Sequence, residues 1–392
     1  FESGSVCPEN KNNPHRVAIV GGGLAGTAAA YILKKHGHAP VIFEESSDIA
    51  AGASGNQVGL YNPKFNAVRH EGADFYNGAY ALCIRMLETL DDKPGNDIDF
   101  KKCGTLHLVT NDDKEKRFRA MCDSGVWHGD HLQYLTAVQA GEKAGVDITH
   151  DALYLPDAGQ LNPAALCRAY AENVDVRLNA PVTALEKTPS GWTVNGEEFD
   201  AVILACGPAV TNFEQTSWLP VYPVRGQITR VTATPSSEKL RCNICYGGYL
   251  SASAGRGWHM TGATFERGDE DTAMRPDDHD RNLKSLDDVL PNLLDDANVM
   301  DGRAALRLAA RDYLPLIGRV PDRAAWERGD DDFIDGLYIS AAHGSHGIIA
   351  SLAGAVMLAD MIGGHPGGQG QHVRQAVAPE RFLKRARKRG DL

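Results

Sequence analysis

The chain has 392 residues, 43% of them hydrophobic and 23% charged, with a formal net charge of −11. That balance fits a globular protein of roughly two domains of about 100 to 200 residues each, and the acidic sign argues against a surface that coats nucleic acid non-specifically. No apolar run approaches the roughly 18 to 20 residues that span a bilayer, and the N-terminus lacks the charged-then-apolar layout of a secretory leader. The expectation is a cytoplasmic protein without a membrane or DNA partner.

The first unit is "HRVAIVGGGLAGTAAAYILKKHGHAPVIFEE". It reads as a β-branched strand, a glycine turn, a helix and a second strand. Gly21, Gly23 and Gly26 stand in GxGxxG order. The first permits the turn, the second lets backbone approach a pyrophosphate, and the third lets helix and strand pack closely. Leu24 and Ala25 open the helix, whose free N–H groups favour phosphate. Glu44, 23 residues after Gly21 and followed by Glu45, ends the second strand where a carboxylate accepts from ribose hydroxyls. Strand, turn, helix and acid together point to a dinucleotide site.

Next comes "AGASGNQVGLYNPKF", with Gly52, Gly55 and Gly59 within eight residues. Glycine marks tight turns or close ligand approach, so this is either a ligand loop or surface coil. In "FDAVILACGP" a returning strand ends at Cys206 and Gly207, a feature expected near the nucleotide. Residues 216–300 contain the alternating stretches "GQITRVTAT" and "GWHMTGATF", which carry the period of an antiparallel sheet. Near the end, "GLYISAAHGSHGIIASLAGAVMLADMI" repeats strand, glycine turn and apolar helix, with a helix N-terminus that suits a second electron-rich group.

The cysteines, Cys7, Cys83, Cys103, Cys122, Cys167, Cys206, Cys242 and Cys245, are scattered, and only the last two form a CxxC. Without a second pair at zinc spacing they read as reduced thiols, and no metal site is expected. The acid pairs Asp277-Asp278, Asp287-Asp288 and Asp295-Asp296, and the run Asp330 to Asp332, read as solvated surface. The ending "RFLKRARKRGDL" reads as a basic tail that either touches RNA or is disordered.

These motifs resemble those of the D-amino-acid-oxidase-like superfamily of FAD enzymes, which includes glycine and sarcosine oxidases. "VAIVGGGLAG", "PVRGQI", "LRLAARDYLPLIG" and "HGSHGI" carry the resemblance from end to end. Finer markers, "GASGNQVGLYNPKF", "FYNGAYALCIR", "LPDAGQLNPAAL", "TSWLPVYPVRGQITR", "CYGGYLS", "GATFERGDEDT" and "RLAARDYLPLIGRVPD", are similar to the flavin-dependent half of the MnmC family of tRNA wobble-uridine modification. That family usually carries an N-terminal methyltransferase half, for which this chain has no room; a fused or separate methyltransferase partner is therefore expected.

The resemblance implies an α/β (α+β) fold. A Rossmann-like FAD-binding domain would be assembled from 1–90, 151–215 and 301–375, an antiparallel-sheet substrate domain from 91–150 and 216–300, and a basic tail from 376–392. It also implies oxidative removal of the carboxymethyl group from 5-carboxymethylaminomethyl(-2-thio)uridine in tRNA, giving glyoxylate and the 5-aminomethyl nucleoside. A carboxylate beside the scissile bond asks for an arginine fork. Arg307, five residues before Asp312, matches the family's substrate arginine, and Tyr249 in "GGYLS" its companion; the other readings are an Arg307–Asp312 ion pair and a sheet-packing tyrosine.

Flavin contacts are expected from Ser54, Gly55, Asn56 and Gln57 in the glycine-rich loop, from Val182 on a strand under the adenine, and from Arg311, Gly344, Ser345, His346, Gly347 and Ile348. His343 and His346 invite a general-base role, which hydride transfer does not require. Sarcosine oxidases attach flavin through a cysteine near the substrate arginine; "RAALRLAARD" has none, so FAD is expected to be noncovalent. The competing readings are a small-molecule oxidase of the glycine, sarcosine or D-amino acid type, a catalytically silent flavin-binding or docking module, and an NAD-linked dehydrogenase.

Overall fold

The computed structural model describes residues 15–93, 95 and 97–391. Cys7 and the N-terminal leader question fall outside the described residues.

Strand Arg16–Val20 is built from β-branched and small apolar side chains, and Val17, Ala18 and Ile19 have no exposed surface. Burial on both faces is what a parallel strand between helical layers requires. It lies between two parallel neighbours, Ala39–Phe43 and Ala201–Leu204. Among the described residues these belong to a six-stranded sheet that continues through Phe333–Ala341 to Leu316–Pro321 on one side and to Asp175–Arg177 on the other. Chain order reverses around the first strand, so its C-terminal end opens on a crevice. Helices Leu24–Lys35 and Gly347–Ile362 cover one face. A three-stranded antiparallel sheet, with Trp192 and Phe199 buried against the parallel strands, covers the other.

A nine-stranded mixed sheet forms the second body of structure among the described residues. Its longest members, Val221–Thr232 and Val299–Ala310, run antiparallel in register from Val221 opposite Ala310 to Arg230 opposite Asp301. Helix Pro276–Asp287 packs on one face of this sheet, leaving the other for the cavity described below. The segmentation differs from expectation at two strands. Ala152–Leu155, and the part of Val299–Ala310 from residue 301 onward, fall in the segments expected to form the nucleotide portion, but both strands pair within the nine-stranded sheet. Their own sequence cannot show this, because partner choice is made by residues far away in the chain.

Two surface readings also change. Asp278 is not solvated: it accepts from the fully buried Arg225 at 2.6 Å. The basic ending is not a loose tail but the helix Arg381–Arg389. Arg381 is buried and donates from Nε and Nη2 to Asp312, each at 2.9 Å, while Arg385 adds a contact to the same carboxylate at 2.6 Å. Arg387 bonds Asp331 at 2.6 Å and Arg328 lies 4.0 Å from the Asp330 carboxylate, so two acids of the 330–332 run have basic partners.

Candidate active site

The glycine turn joins the first strand to the first helix, and each of its glycines answers a different steric demand. Gly21 has φ +106°, and a Cβ there would fall 2.7 Å from the Ala205 carbonyl oxygen. A Cβ on Gly26 would lie 1.9 Å from the Gly21 carbonyl oxygen, so this third glycine serves packing and stands off the cavity. Glu44 is buried and accepts from the Gly22 N–H at 2.7 Å and the Ser46 N–H at 2.9 Å. Those bonds hold the carboxylate at the crevice with lone pairs to spare.

The turn opens into a cavity of about 1130 Å³. Its wall runs from Gly21, Gly23, Leu24, Ala25, Glu44 and Glu45 past Val182, Cys206 and Gly207 to Gly344, Ser345, His346, Gly347 and Ile348. Sequence reasoning named all of these, and the tertiary structure brings them to one wall. Val182 does so from an irregular segment ahead of strand Glu186–Thr188 rather than from a strand. The N-termini of helices Leu24–Lys35 and Gly347–Ile362 both open on the cavity, and Gly347 sits beside the Leu24 side chain. Two helix N-termini, whose first N–H groups lack partners within their own helices, therefore face the same space.

The glycine-rich loop folds over the turn. Ser54 Oγ accepts the Leu24 N–H at 3.0 Å, replacing a partner the helix terminus lacks. Ser54 and Asn56 line the cavity, whereas Gly55 and Gln57 do not. Gly55 packs against the Ala50 carbonyl and the Arg303 guanidinium, and Gln57 turns away to accept from Arg230 at 2.9 Å. The cause is a short 3₁₀ turn at Ala53–Gly55, which sends neighbouring side chains in different directions.

The strand Val299–Ala310 supplies the opposite wall. Arg303 and Arg307 are four residues apart, so strand alternation puts both on one face. Arg303 donates from Nη2 to the Gly52 carbonyl at 2.6 Å and also to that of Ala51, fastening the loop to the sheet. Sequence reasoning missed Arg303; the period-two spacing within "RAALR" was the signal that could have found it.

Arg307 is half-buried on the cavity wall, and among the described residues it has neither a hydrogen-bond nor an ion-pair partner. Asp312, the rival partner, is taken by Arg381 and Arg385. Burial lowers the pKa of Arg307 from its ordinary value, opposed by the neighbouring Tyr249. The guanidinium lies 5.3 Å from the Phe265 ring centroid and across Gly226, where a Cβ would come within 2.7 Å of Nη1. The glycine of "PVRGQI" thus clears the space that Arg307 occupies. Tyr249, also on the wall, has its phenol pushed upward by burial and stays protonated. Arg311 does not reach the cavity: the strand ends at Ala310, and Arg311 is exposed in the turn beyond it.

His343 and His346 line the cavity as neutral rings. Burial lowers each pKa to about 4, aided at His346 by Lys64 and opposed at His343 by its contact with Ser340. The ring of His343 meets Ser340 Oγ at 3.1 Å, and its Nδ1 is buried without a partner among the described residues. Cys206 and Cys245 also face the cavity, with burial raising each thiol to about 12. Cys242 lies instead in a separate apolar cluster, so the two cysteines of the CxxC do not converge.

The volume of the cavity and the donors along its wall suit a flavin dinucleotide. Gly52, Gly207, Gly247 and Gly344 line it with nothing within 4 Å of their would-be Cβ positions, so side chains there would fill the cradle.

Comparison with known proteins gives the same reading. The chain is 32% identical over 411 residues to the tRNA 5-methylaminomethyl-2-thiouridine biosynthesis bifunctional protein MnmC of Pseudomonas fluorescens, a match covering 98% of this chain and 61% of that protein. The chain therefore spans about three-fifths of that relative's length. Glycine oxidase from Geobacillus kaustophilus superposes with a TM-score of 0.77 at 24% identity, covering 93% of this chain and 98% of that one. L-proline dehydrogenase from P. horikoshii superposes with a TM-score of 0.78 at 18% identity, covering 97% and 99%. At those identities the two structures establish the D-amino-acid-oxidase-like fold. The profile described as FAD dependent oxidoreductase matches residues 16–361, and the chain belongs to that family of FAD enzymes.

Proposed function

We propose that this chain removes the carboxymethyl group from 5-carboxymethylaminomethyluridine, with or without the 2-thio group, at the tRNA wobble position. The observation that carries the chemistry is Arg307, whose guanidinium has no partner among the described residues and stands at the wall of a glycine-lined cavity beside Tyr249. A half-buried cation without a counter-ion is costly, and a substrate carboxylate is the partner that offsets it. The 32% identity to an MnmC protein along almost the whole chain supports the tRNA substrate.

FAD would be held noncovalently by the glycine turn, Glu44, the Ser54–Asn56 loop and the 344–348 turn, and would supply two-electron oxidation of the adjacent C–N bond. Arg307 grips both carboxylate oxygens and sets the angle of the carbon to be oxidised. Tyr249, protonated, donates to the same carboxylate. The neutral His343 and His346 add no positive charge that would disfavour bringing in the amine. Loss of a hydride equivalent and a proton from the CH–NH unit gives an imine. Water adds to its carbon and the C–N bond breaks, leaving glyoxylate and the 5-aminomethyl nucleoside. A methyltransferase, fused or separate, would consume that amine, consistent with the bifunctional naming and greater length of the relative. A cytoplasmic location fits this substrate.

The test is incubation of the flavin-loaded protein with hypomodified tRNA, digestion to nucleosides and assay of glyoxylate. Conversion of the carboxymethylaminomethyl nucleoside is expected. Unchanged tRNA beside rapid turnover of glycine or sarcosine would favour the second reading, a small-molecule amine oxidase. The net charge of −11 supports that alternative, because an RNA enzyme should offer phosphates positive surface.

A further inference from the structure

Arg307 does not stand alone on its sheet face. Val224 pairs with Arg307 on one side and with Arg267 on the other. Residues directly opposite in antiparallel pairs share a face, with strands about 4.7 to 4.9 Å apart, so Arg267 stands about 10 Å from Arg307 on the same face. Tyr222, two residues before Val224, shares it too.

Arg267 is exposed and sits between two aromatic rings, 4.9 Å from the centroid of Tyr222 and 5.8 Å from that of Tyr313. Its Nη2 donates to the Tyr313 hydroxyl at 2.6 Å. Tyr313 is 56% exposed, yet its backbone holds φ +57°, a region bulky side chains rarely adopt. Its N–H donates to the Ala310 carbonyl at 3.0 Å, and its carbonyl accepts from Lys64 at 3.3 Å. Such strain persists where surroundings impose it, often at functional sites. Phe265, 55% exposed, continues the aromatic surface to Arg307 itself. Nearby Asp312 is neutralised by Arg381 and Arg385, and Glu266 is bonded to Arg281; Glu270 at the cavity rim remains as an acid.

An amino-acetate gripped by Arg307 is too short to reach Arg267. A polynucleotide carrying that group is long enough, and exposed rings interleaved with arginine are the means by which proteins hold unstacked nucleotides. Resting on the tRNA reading above, we propose that Arg267, Tyr222 and Tyr313 form a subsite for the nucleotide adjacent to the modified uridine, its base stacked on a tyrosine and its phosphate on Arg267.

The experiment compares Arg267→Ala and Tyr313→Ala with the wild-type flavoprotein on two substrates. One is an anticodon stem-loop RNA containing 5-carboxymethylaminomethyluridine, and the other is the free nucleoside. The KM for RNA is expected to rise at least about tenfold in each variant. The salt dependence of RNA affinity should weaken by about 0.7 in log–log slope for Arg267→Ala alone. Turnover of the nucleoside should be unchanged, with flavin absorbance confirming a folded site. Unchanged RNA kinetics in both variants would overturn the subsite, as would equal losses on both substrates, which would place these residues in the Arg307 centre or the fold. A wild-type protein that oxidises the nucleoside or glycine but neither binds nor oxidises the RNA would overturn the tRNA reading, and the subsite with it.

Discussion

Arg303 donates from Nη2 to the carbonyl oxygen of Gly52 at 2.6 Å, joining residues 251 positions apart in the chain. Through this contact the sheet that carries Arg307 also fixes the loop over the glycine turn. Replacing Arg303 by Ala should loosen that loop, weakening FAD affinity about tenfold, as expected for loss of a charge-assisted hydrogen bond of about 1.5 kcal/mol. Flavin titration by fluorescence quenching measures it, and an unchanged Kd would show that the loop holds without the clamp.

Arg307→Lys should retain flavin and stability but lose at least about tenfold in kcat/KM, since an ammonium cannot reproduce the bidentate fork. Steady-state kinetics with the flavin spectrum as control decide this. Wild-type turnover in the lysine variant would remove Arg307 from the carboxylate role.

Gly26→Ala places a methyl group 1.9 Å from the Gly21 carbonyl oxygen, a contact that backbone must move to relieve. The expected outcome is protein purified without its yellow colour, or with a Tm several degrees lower, because strain here displaces the glycine turn itself. A variant that retains a full complement of flavin and the parental Tm would show that helix and strand can separate without harm.

The buried pair of Arg225 and Asp278 ties the roof of the cavity to helix Pro276–Asp287. Arg225 also donates to the carbonyls of Asp271 and Ala273, at 2.5 and 2.7 Å. Asp278→Asn should cost about 3 to 5 kcal/mol by leaving a buried cation with no counter-charge. Arg225→Met combined with Asp278→Leu should recover much of that loss. Urea denaturation distinguishes these outcomes, and a single variant as stable as its parent would mean that the remaining acceptors suffice.

Acid should destabilise the protein through its buried histidines. His107, His343 and His346 each have a pKa lowered from 6.5 to about 4, chiefly by burial. Between those values the unfolded chain binds protons that the folded rings refuse, so stability is complete above about pH 6.5 and is lost as pH falls towards 4. His107 lies outside the candidate site, so His107→Asn isolates the effect. The drop in Tm between pH 7 and pH 5 should be smaller in this variant than in the parent, and an equal drop would assign the acid sensitivity elsewhere.

Much of the nucleotide end was legible in the chain because its determinants are local. GxGxxG, the acid at Glu44 and the strand–helix–strand pattern lie within one short unit, and each follows from backbone sterics or from a single carboxylate. The expected flavin contacts failed where direction mattered. Gln57 faces Arg230 rather than the cavity because a 3₁₀ turn redirects the loop. Arg311 misses the cavity because its strand stops at Ala310. Of the pair Asp277-Asp278, Asp277 is exposed as expected, and the surface reading failed only at Asp278, whose partner is Arg225, 53 residues earlier.

The class of binding unit was legible in the chain alone, since glycine at three spaced positions and a periodic apolar pattern constrain backbone geometry wherever they occur. Which charges are spent depends on the folded arrangement. Arg381 and Arg385 neutralise Asp312 and so leave Arg307 without a partner among the described residues, and the pairing of strand 221–232 with 299–310 on one side and with residues 266–267 on the other sets Arg303, Arg307 and Arg267 on one face. Partnering of this kind depends on distances across tens to hundreds of residues. No local propensity encodes it, because the energy of a buried charge is fixed by what folds against it.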